Sequence, residues 1–190
     1  IVKSKSMATE EIGLNELLHA EGIESIETDL GEYIQQLDGE KPYHIVTPAM
    51  HKSKEDIAQL FHDKLGTPLD YTPEQLSLHA RGLLRDKYTS AKVGITGANF
   101  LIADTGSISI TENEGNARLT TAFPKVHIVI AGIEKVIPGM ADLDLFLPLL
   151  ATAGTGQKLT AYNTIINGPA TADEPDGPKE MYVILLDNGR

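Results

Sequence analysis

Cysteine is absent from this chain, and the absence limits the chemistry that the chain can perform. Without thiols it has no disulfide, no thiolate nucleophile and no cysteine ligand for a metal ion or an iron–sulfur cluster. Any thiolate-held centre that works with this chain must therefore lie outside its 190 residues.

Long apolar runs and clustered positive charge are also absent. No stretch reaches the roughly 18 apolar residues that a membrane span needs, and residues 1–7 are too polar for the core of a signal peptide. The 16 basic residues form no dense cluster and the formal net charge is −11, a balance that repels phosphate backbones. We therefore expect a cytoplasmic protein with no membrane span and no nucleic-acid partner.

The common catalytic and cofactor motifs are missing. The six histidines include no His-x-x-x-His pair, and His44 with His51 is the nearest hint of a metal site. No Gly-x-Ser-x-Gly, Gly-x-Gly-x-x-Gly or Walker motif occurs, which argues against serine hydrolase chemistry and against the usual nucleotide sites. The sequence predicts no metal site and no cofactor within the chain.

Length and composition favour one domain over residues 1–190, because 41% hydrophobic content suffices for one ordinary core. The chain opens on the end of a strand pattern and closes directly after another, so we expect a fragment of a longer chain. In the first part, helices are predicted from Thr9 to about Gly22, over 30–37, over 53–66 and over 73–88. Strands are predicted at 23–28, 44–47 and 92–96, an alternation typical of parallel strands with crossover helices.

The second part of the chain looks different. Residues 101–103, 107–111, 117–122 and 126–131 are short strand-like runs separated by turn residues, so the sequence predicts antiparallel hairpins. Further predictions are a helix at 142–150 disturbed by Pro148, a strand at 160–166, a loop at 168–178 and a strand at 181–186 buried on both faces. The expected fold class is α/β, a mixed sheet with flanking helices.

Three glycine-rich polar clusters, at 94–99, 103–107 and 113–116, indicate a binding site. Glycines allow close backbone approach to a ligand, and the neighbouring hydroxyl, amide and acid groups can orient it. The alternative is turn chemistry with no ligand. The loop at 3–7 follows a strand and precedes a helix that Thr9 would cap, so its lysines and hydroxyls could bind an anion, or the lysines could simply be solvated.

Several motifs occur together in one order along the chain. They are residues 2–7 with 9–12, 29–34, 94–99, 104–106, 113–116, 132–135 and 187–190. In this the chain resembles the LUD-domain family of lactate-utilisation B proteins, over nearly its whole length. One departure is Asp104, where the family usually has Glu.

The resemblance implies a fold similar to the ribose-phosphate isomerase and CoA-transferase (NagB/RpiA) group. It also implies a C-terminal ferredoxin-like domain with [4Fe-4S] clusters, absent from this chain, and companion subunits with which the family oxidises L-lactate to pyruvate. The expected role is then part of an iron–sulfur electron-transfer subunit.

Three hypotheses follow for this domain itself. It binds a small organic anion, it is catalytic with Glu114 or Asp104 as base or nucleophile, or it is a docking scaffold for companion subunits. The candidate ligand-binding residues are Lys3, Ser4, Lys5, Ser6, Thr96, Gly97, Ala98, Asn99, Thr105, Gly106, Asn113, Gly115, Asn116, Glu134, Asn188 and Arg190. If the acids line the site and the lysines point away, a cation or a sugar-like ligand is the better expectation.

Overall fold

A computed structural model describes residues 1–4, 6–43 and 47–189. The helices are α1 (Met7–Glu11), α2 (Leu14–Ala20), α3 (Leu30–Asp38), α4 (Lys54–Leu65), α5 (Pro73–Ser90), α6 (Asn116–Ala122) and α7 (Leu143–Thr155). The strands are β1 (Val2–Ser4), β2 (Ile26–Glu27), β3 (Val93–Thr96), β4 (Phe100–Ile102), β5 (Ser107–Glu112), β6 (Val126–Gly132), β7 (Val136–Ile137), β8 (Tyr162–Ile166) and β9 (Glu180–Leu186). In this described part, no helix is both long and apolar enough to cross a bilayer.

The strands form two sheets rather than one. The first has the order β2-β1-β3-β6-β9, and every neighbouring pair in it is parallel. The second has the order β7-β4-β5-β8, in which β5 runs antiparallel to both of its neighbours and β7 runs parallel to β4. The α/β class with flanking helices is therefore confirmed, with parallel and mixed pairing in separate sheets.

Apolar side chains gather in three clusters that fix the helices on the sheets. The largest joins β1 to α3, α4 and α5 through Val2, Ile34, Phe61 and Leu84. The second lies between the two sheets, and the third packs α7 against β4 and β7. The helices predicted at 30–37, 53–66 and 73–88 are confirmed, and Ser53 and Thr72 cap the last two with reciprocal hydrogen bonds.

Two predictions for the second part of the chain are wrong. Residues 117–122 are helical, since they belong to α6, which follows Gly115 in a left-handed conformation at φ +80°. With α6 as a crossover, β6 lies parallel beside β3 instead of forming a hairpin. The hairpin of β4 and β5 is confirmed.

The N-terminal helix also differs from the prediction. Gly13, at φ +65°, divides it into α1 and α2, and Thr9 lies inside α1 instead of capping it. The strand predicted at 23–28 shortens to β2. The strand predicted at 44–47 falls largely on residues 44–46, which lie outside the described residues.

Strand β9 exists where predicted, but it is not buried on both faces. It is at one edge of the first sheet, and Tyr182, Val183, Ile184 and Leu185 are each 43–54% exposed. Successive side chains of a strand point to opposite faces. Both faces of β9 are therefore open in this chain.

Helix α7 runs through Pro148 and extends to Thr155.

Candidate functional site

A cavity of about 480 Å³ opens at the carboxyl edge of the parallel sheet. Ser6 follows β1, Gly97 follows β3, and Gly132 ends β6, and all three residues line it. Open α/β sheets bind ligands in this position, because strand ends, loops and helix N-termini converge there. The volume lies within the range of small-molecule sites.

The loop after β3 forms one wall of the cavity. The Gly97 amide donates to the Ser4 carbonyl oxygen at 3.2 Å, which ties this loop to the end of β1. Asn99 holds the neighbouring hairpin, because its amide donates to the Ser109 carbonyl at 2.9 Å and its Oδ1 accepts from the Thr111 amide at 2.7 Å. The wall is therefore fixed by main-chain hydrogen bonds to both sheets.

The loop after β5 brings two polar residues to the cavity. Asn113 Oδ1 accepts from the Ala161 amide at 3.0 Å, and its Nδ2 donates to Gln157 at 3.0 Å, so the side chain fastens the segment after α7. Glu114 Oε2 accepts from the Leu30 amide at 3.4 Å, at the start of α3. A carboxylate in this place is favoured by the partial positive charge of a helix N-terminus.

Glu112 is a lining residue that the sequence analysis did not single out. Its carboxylate is buried and accepts hydrogen bonds from the amides of Ala117 at 2.8 Å and Arg118 at 3.0 Å. It therefore caps α6 from the strand before it. An acid a few residues ahead of a helix is a possible signal for such a cap, but the helix itself was not predicted.

The start of α3 supplies two more acids that the sequence analysis left unassigned. Asp29 caps the helix, accepting from the amides of Gly31 and Glu32, and both acids line the cavity. Glu32 is 8% exposed. Burial, followed by the charges of Glu27 and Asp29, raises the pKa of Glu32 to about 9. Glu32 is therefore a neutral carboxylic acid at pH 7.

Lys3, which was predicted to bind an anion, does not line the cavity. It is 1% exposed, its ammonium donates to Thr9 Oγ1 at 2.7 Å, and it forms ion pairs with Glu27 at 2.7 Å and with Glu10. Burial alone lowers the pKa of Lys3, but these two carboxylates outweigh burial and raise it. The lysine charge is thus neutralised by buried Glu27 and partly buried Glu10.

The structure brings eight of the eighteen predicted site residues together. The residues that line the cavity are Ser6, Gly97, Ala98, Asn99, Asn113, Glu114, Glu134 and Asn188. Those described residues that do not line it are Lys3, Ser4, Thr96, Asp104, Thr105, Gly106, Gly115 and Asn116. Lys5 and Arg190 lie outside the described residues.

Asp104, the alternative to Glu114 as a candidate base or nucleophile, does not line the cavity that Glu114 lines. Asp104 belongs with Thr105 and Gly106 to the turn that joins β4 to β5, whereas the cavity meets the other end of this hairpin at Asn99. Asp104 Oδ2 accepts from the Met140 amide at 3.2 Å. Its amide donates to the Pro138 carbonyl oxygen at 3.1 Å, so Asp104 contacts the segment that leads into the 3-10 turn Met140–Asp142 before α7.

The described wall is rich in acids. Its ionisable residues are Glu11, Asp29, Glu32, Glu112, Glu114, Glu134 and Lys135. Carboxylates accept hydrogen bonds from hydroxyl groups, and a neutral carboxylic acid also donates one. No three His, Asp or Glu side chains among the described residues meet in a metal-binding arrangement. The acids of this wall could therefore form hydrogen bonds with hydroxyl groups of a ligand.

A family model and several curated proteins match this chain over all or nearly all of its length. A model of the LUD domain matches residues 1–186. The chain is 51% identical to "Lactate utilization protein B" of Geobacillus sp. (strain WCH70) and 49% identical to the protein of that name in Bacillus subtilis (strain 168). It is 48% identical to "Uncharacterized electron transport protein YkgF" of Escherichia coli (strain K12). Each alignment covers 100% of this chain and 40% of the relative.

Among solved structures, the chain is similar to a DUF162 family protein from Deinococcus radiodurans. The similarity covers 54% of this chain and 57% of that one, with a TM-score of 0.40 and 17% sequence identity. The family model, together with relatives that are about half identical along the full chain, shows that this chain belongs to the LUD domain family.

Proposed function

We propose that this chain is the LUD-domain part of an iron–sulfur subunit that takes part in the oxidation of L-lactate to pyruvate. The names of its relatives support a role in lactate utilisation and electron transport. The chain has no cysteine, so cysteines elsewhere in the full protein would hold the [4Fe-4S] clusters. The cluster-bearing part would transfer electrons, whereas this domain binds a ligand and works with companion subunits.

The ligand that we propose is a small hydroxylated organic metabolite, bound in the cavity at the carboxyl edge of the parallel sheet. The acid-rich wall carries this proposal, because carboxylates accept hydrogen bonds from hydroxyl groups. Lys3, which was predicted to bind an anion together with Lys5 and Arg190, is committed to Glu27 and Glu10. A three-carbon acid would fill only part of 480 Å³, so larger metabolites fit as well.

A thermal-shift screen of the purified protein tests this proposal. The compounds are L-lactate, pyruvate, glycerol, sugar phosphates, CoA esters and divalent cations. A ligand at 100 times its dissociation constant adds about 2.7 kcal/mol to the free energy of unfolding. We expect the largest shift from a compound with several hydroxyl groups. Absence of a shift with every compound would contradict a ligand-binding role.

Docking of a further protein segment is the second candidate function, and the open strand β9 favours it. Its four consecutive exposed apolar side chains and the unpaired edge of its backbone suit contact with protein. This role is compatible with ligand binding, since the cavity touches β9 only at its end, through Leu186. Catalysis by Glu114 stays a further proposal for the same cavity.

A further inference from the structure

Glu27 carries a buried hydrogen-bond acceptor that no donor of the described residues satisfies. Glu27 is 3% exposed, and its Oε1 accepts from Lys3 at 2.7 Å and from Asn15 at 2.7 Å. Its Oε2 is buried and receives no hydrogen bond from the donors of the described structure. A buried acceptor without a donor costs about 1–3 kcal/mol or more when it is charged, so a missing donor is expected nearby.

The carboxyl group of Glu32 is a candidate for that donor. It lies within hydrogen-bonding reach of the Glu27 carboxyl, and a bond between two carboxyl groups requires a proton on one of them. Glu32 also lines the cavity, whereas Glu27 does not. The pair therefore connects the buried ion pair of Lys3 to the ligand space.

The neighbouring charges favour one retained proton. The groups that act on Glu32 are Glu27 on β2, Asp29 at the start of α3 and Lys3 on β1. Lys3 also pairs with Glu10 on α1, so one ammonium faces two carboxylates before Glu32 is counted. A further ionised carboxyl in this buried group would be repelled by its neighbours and poorly solvated.

We propose that Glu27 and Glu32 share one proton and that Glu32 is the residue through which the cavity exchanges this proton with a ligand. The inference rests on the proposed use of the cavity as a binding site. It further requires that the ligand carry a carbonyl or carboxylate oxygen that accepts a proton or a hydrogen bond. In transfer, the Glu32 O–H bond breaks, its electron pair stays on Glu32, and the ligand oxygen gains the proton.

Infrared spectroscopy of the ligand-free protein tests the shared proton. We expect the C=O band of a protonated carboxylic acid to persist at pH 7 and to disappear with a midpoint at about pH 9. Because Glu32 opens to the cavity, the band should shift promptly when the protein is moved into D₂O. A spectrum without this band at pH 7, or a band that does not exchange, would overturn the proposal.

Two variants assign the band. Glu32→Gln replaces the neutral acid with a neutral amide of similar shape, so it should fold and lose the band, whereas Glu16→Gln, at an exposed acid of α2, should keep it. If Glu32→Gln does not fold, Glu27→Gln serves instead, and it should lower the midpoint by roughly one pH unit or more. A band unchanged in Glu32→Gln, or a midpoint unchanged in Glu27→Gln, would refute the assignment.

The two proposals fail in different ways. If no compound stabilises the protein but the exchangeable band is present, the proposed binding role is contradicted, and exchange with a ligand falls with it, while the proton on the pair is established. If a compound stabilises the protein but the band is absent, the binding role stands and the shared proton is refuted.

Discussion

Lys3 shows how a residue that looks like an anion ligand serves the fold instead. It is fully buried on β1 between two acids, and breaking a buried ion pair by removing one partner typically costs about 3–5 kcal/mol. We expect Lys3→Met to lower the free energy of unfolding by about that amount at pH 7, as measured by urea denaturation. The cause is the uncompensated negative charge left on Glu27 and Glu10.

Lys54 provides the matched control for this prediction. Its side chain is 73% exposed and lies 3.5 Å from Glu55 on the surface of α4, so Lys54→Met should change stability little. Equal effects of the two substitutions would contradict the buried role of Lys3.

His127 is a second buried residue with a testable consequence. Its Nε2 lies 2.7 Å from Thr96 Oγ1, its Nδ1 has no hydrogen-bond partner among the described residues, and burial lowers its pKa to about 4. In the unfolded chain this imidazole is therefore protonated below about pH 6.5. In the folded protein it stays neutral until the pH falls to about 4. Stability from this group is complete above pH 6.5 and is lost as the pH falls.

Between pH 7 and pH 5 the His127 effect amounts to about 2 kcal/mol. Other groups titrate over the same range, and Glu32 acts in the opposite direction. The measurement is therefore the difference between wild type and His127→Gln in urea unfolding at the two pH values. We expect the wild type to lose more stability on acidification than the variant. The same loss in both proteins would show that His127 does not titrate abnormally.

At the scale of elements, the contact between β3 and α6 depends on Gly94. A Cβ atom at this position would lie 2.2 Å from the Thr120 carbonyl oxygen and 3.2 Å from Pro124. The Thr120 carbonyl belongs to the backbone of α6 and cannot move aside as a flexible side chain can. Gly94→Ala should therefore push α6 away from the sheet. We expect a loss of about 1–3 kcal/mol in urea unfolding, the usual cost of overpacking.

Gly82 gives the control, because it lies within α5 and a Cβ there would meet nothing within 4 Å. Gly82→Ala should raise stability by about 0.5–1 kcal/mol, since alanine loses less conformational entropy in a helix. If both substitutions stabilise the protein, the close approach at Gly94 is not present in solution.

The elements that could be predicted from sequence are those whose signals are local. The capping residues of α4 and α5 and the glycines after α3 and α4 lie within the segments that they delimit. Helix α6 was missed because its threonines favour a strand. Its main N-terminal cap, Glu112, belongs to the preceding strand.

At the scale of the whole molecule, the cavity illustrates what sequence reasoning can and cannot provide. The rule that ligands gather at the carboxyl ends of parallel strands correctly brought Ser6, Gly97 and Asn188 to one place. It could not predict that Lys3 points to Glu27, 24 positions further along the chain, because that pairing depends on the register of β1 and β2. The positions of Asp104 and Glu32 depend on tertiary structure in the same way.

The open strand β9 bears on the whole protein as well. The chain spans 40% of the length of the curated relatives that it matches, and β9 presents apolar side chains on both faces. Such a strand suits further pairing or coverage by protein. The docking role proposed above and the ligand role proposed for the cavity therefore use different parts of the molecule.

The central claim is that the acid-rich cavity binds a small hydroxylated ligand, and a pair of matched variants tests it most directly. Titration calorimetry with the compound that gives the largest thermal shift would compare wild type, Glu114→Gln in the cavity wall, and Asp104→Asn in the distant turn. A hydrogen bond to a charged group contributes about 1.5–3 kcal/mol, so Glu114→Gln should weaken binding roughly 10- to 150-fold, and Asp104→Asn should leave it unchanged. Equal affinities in all three proteins, or a loss confined to Asp104→Asn, would contradict the assignment of this cavity as the binding site.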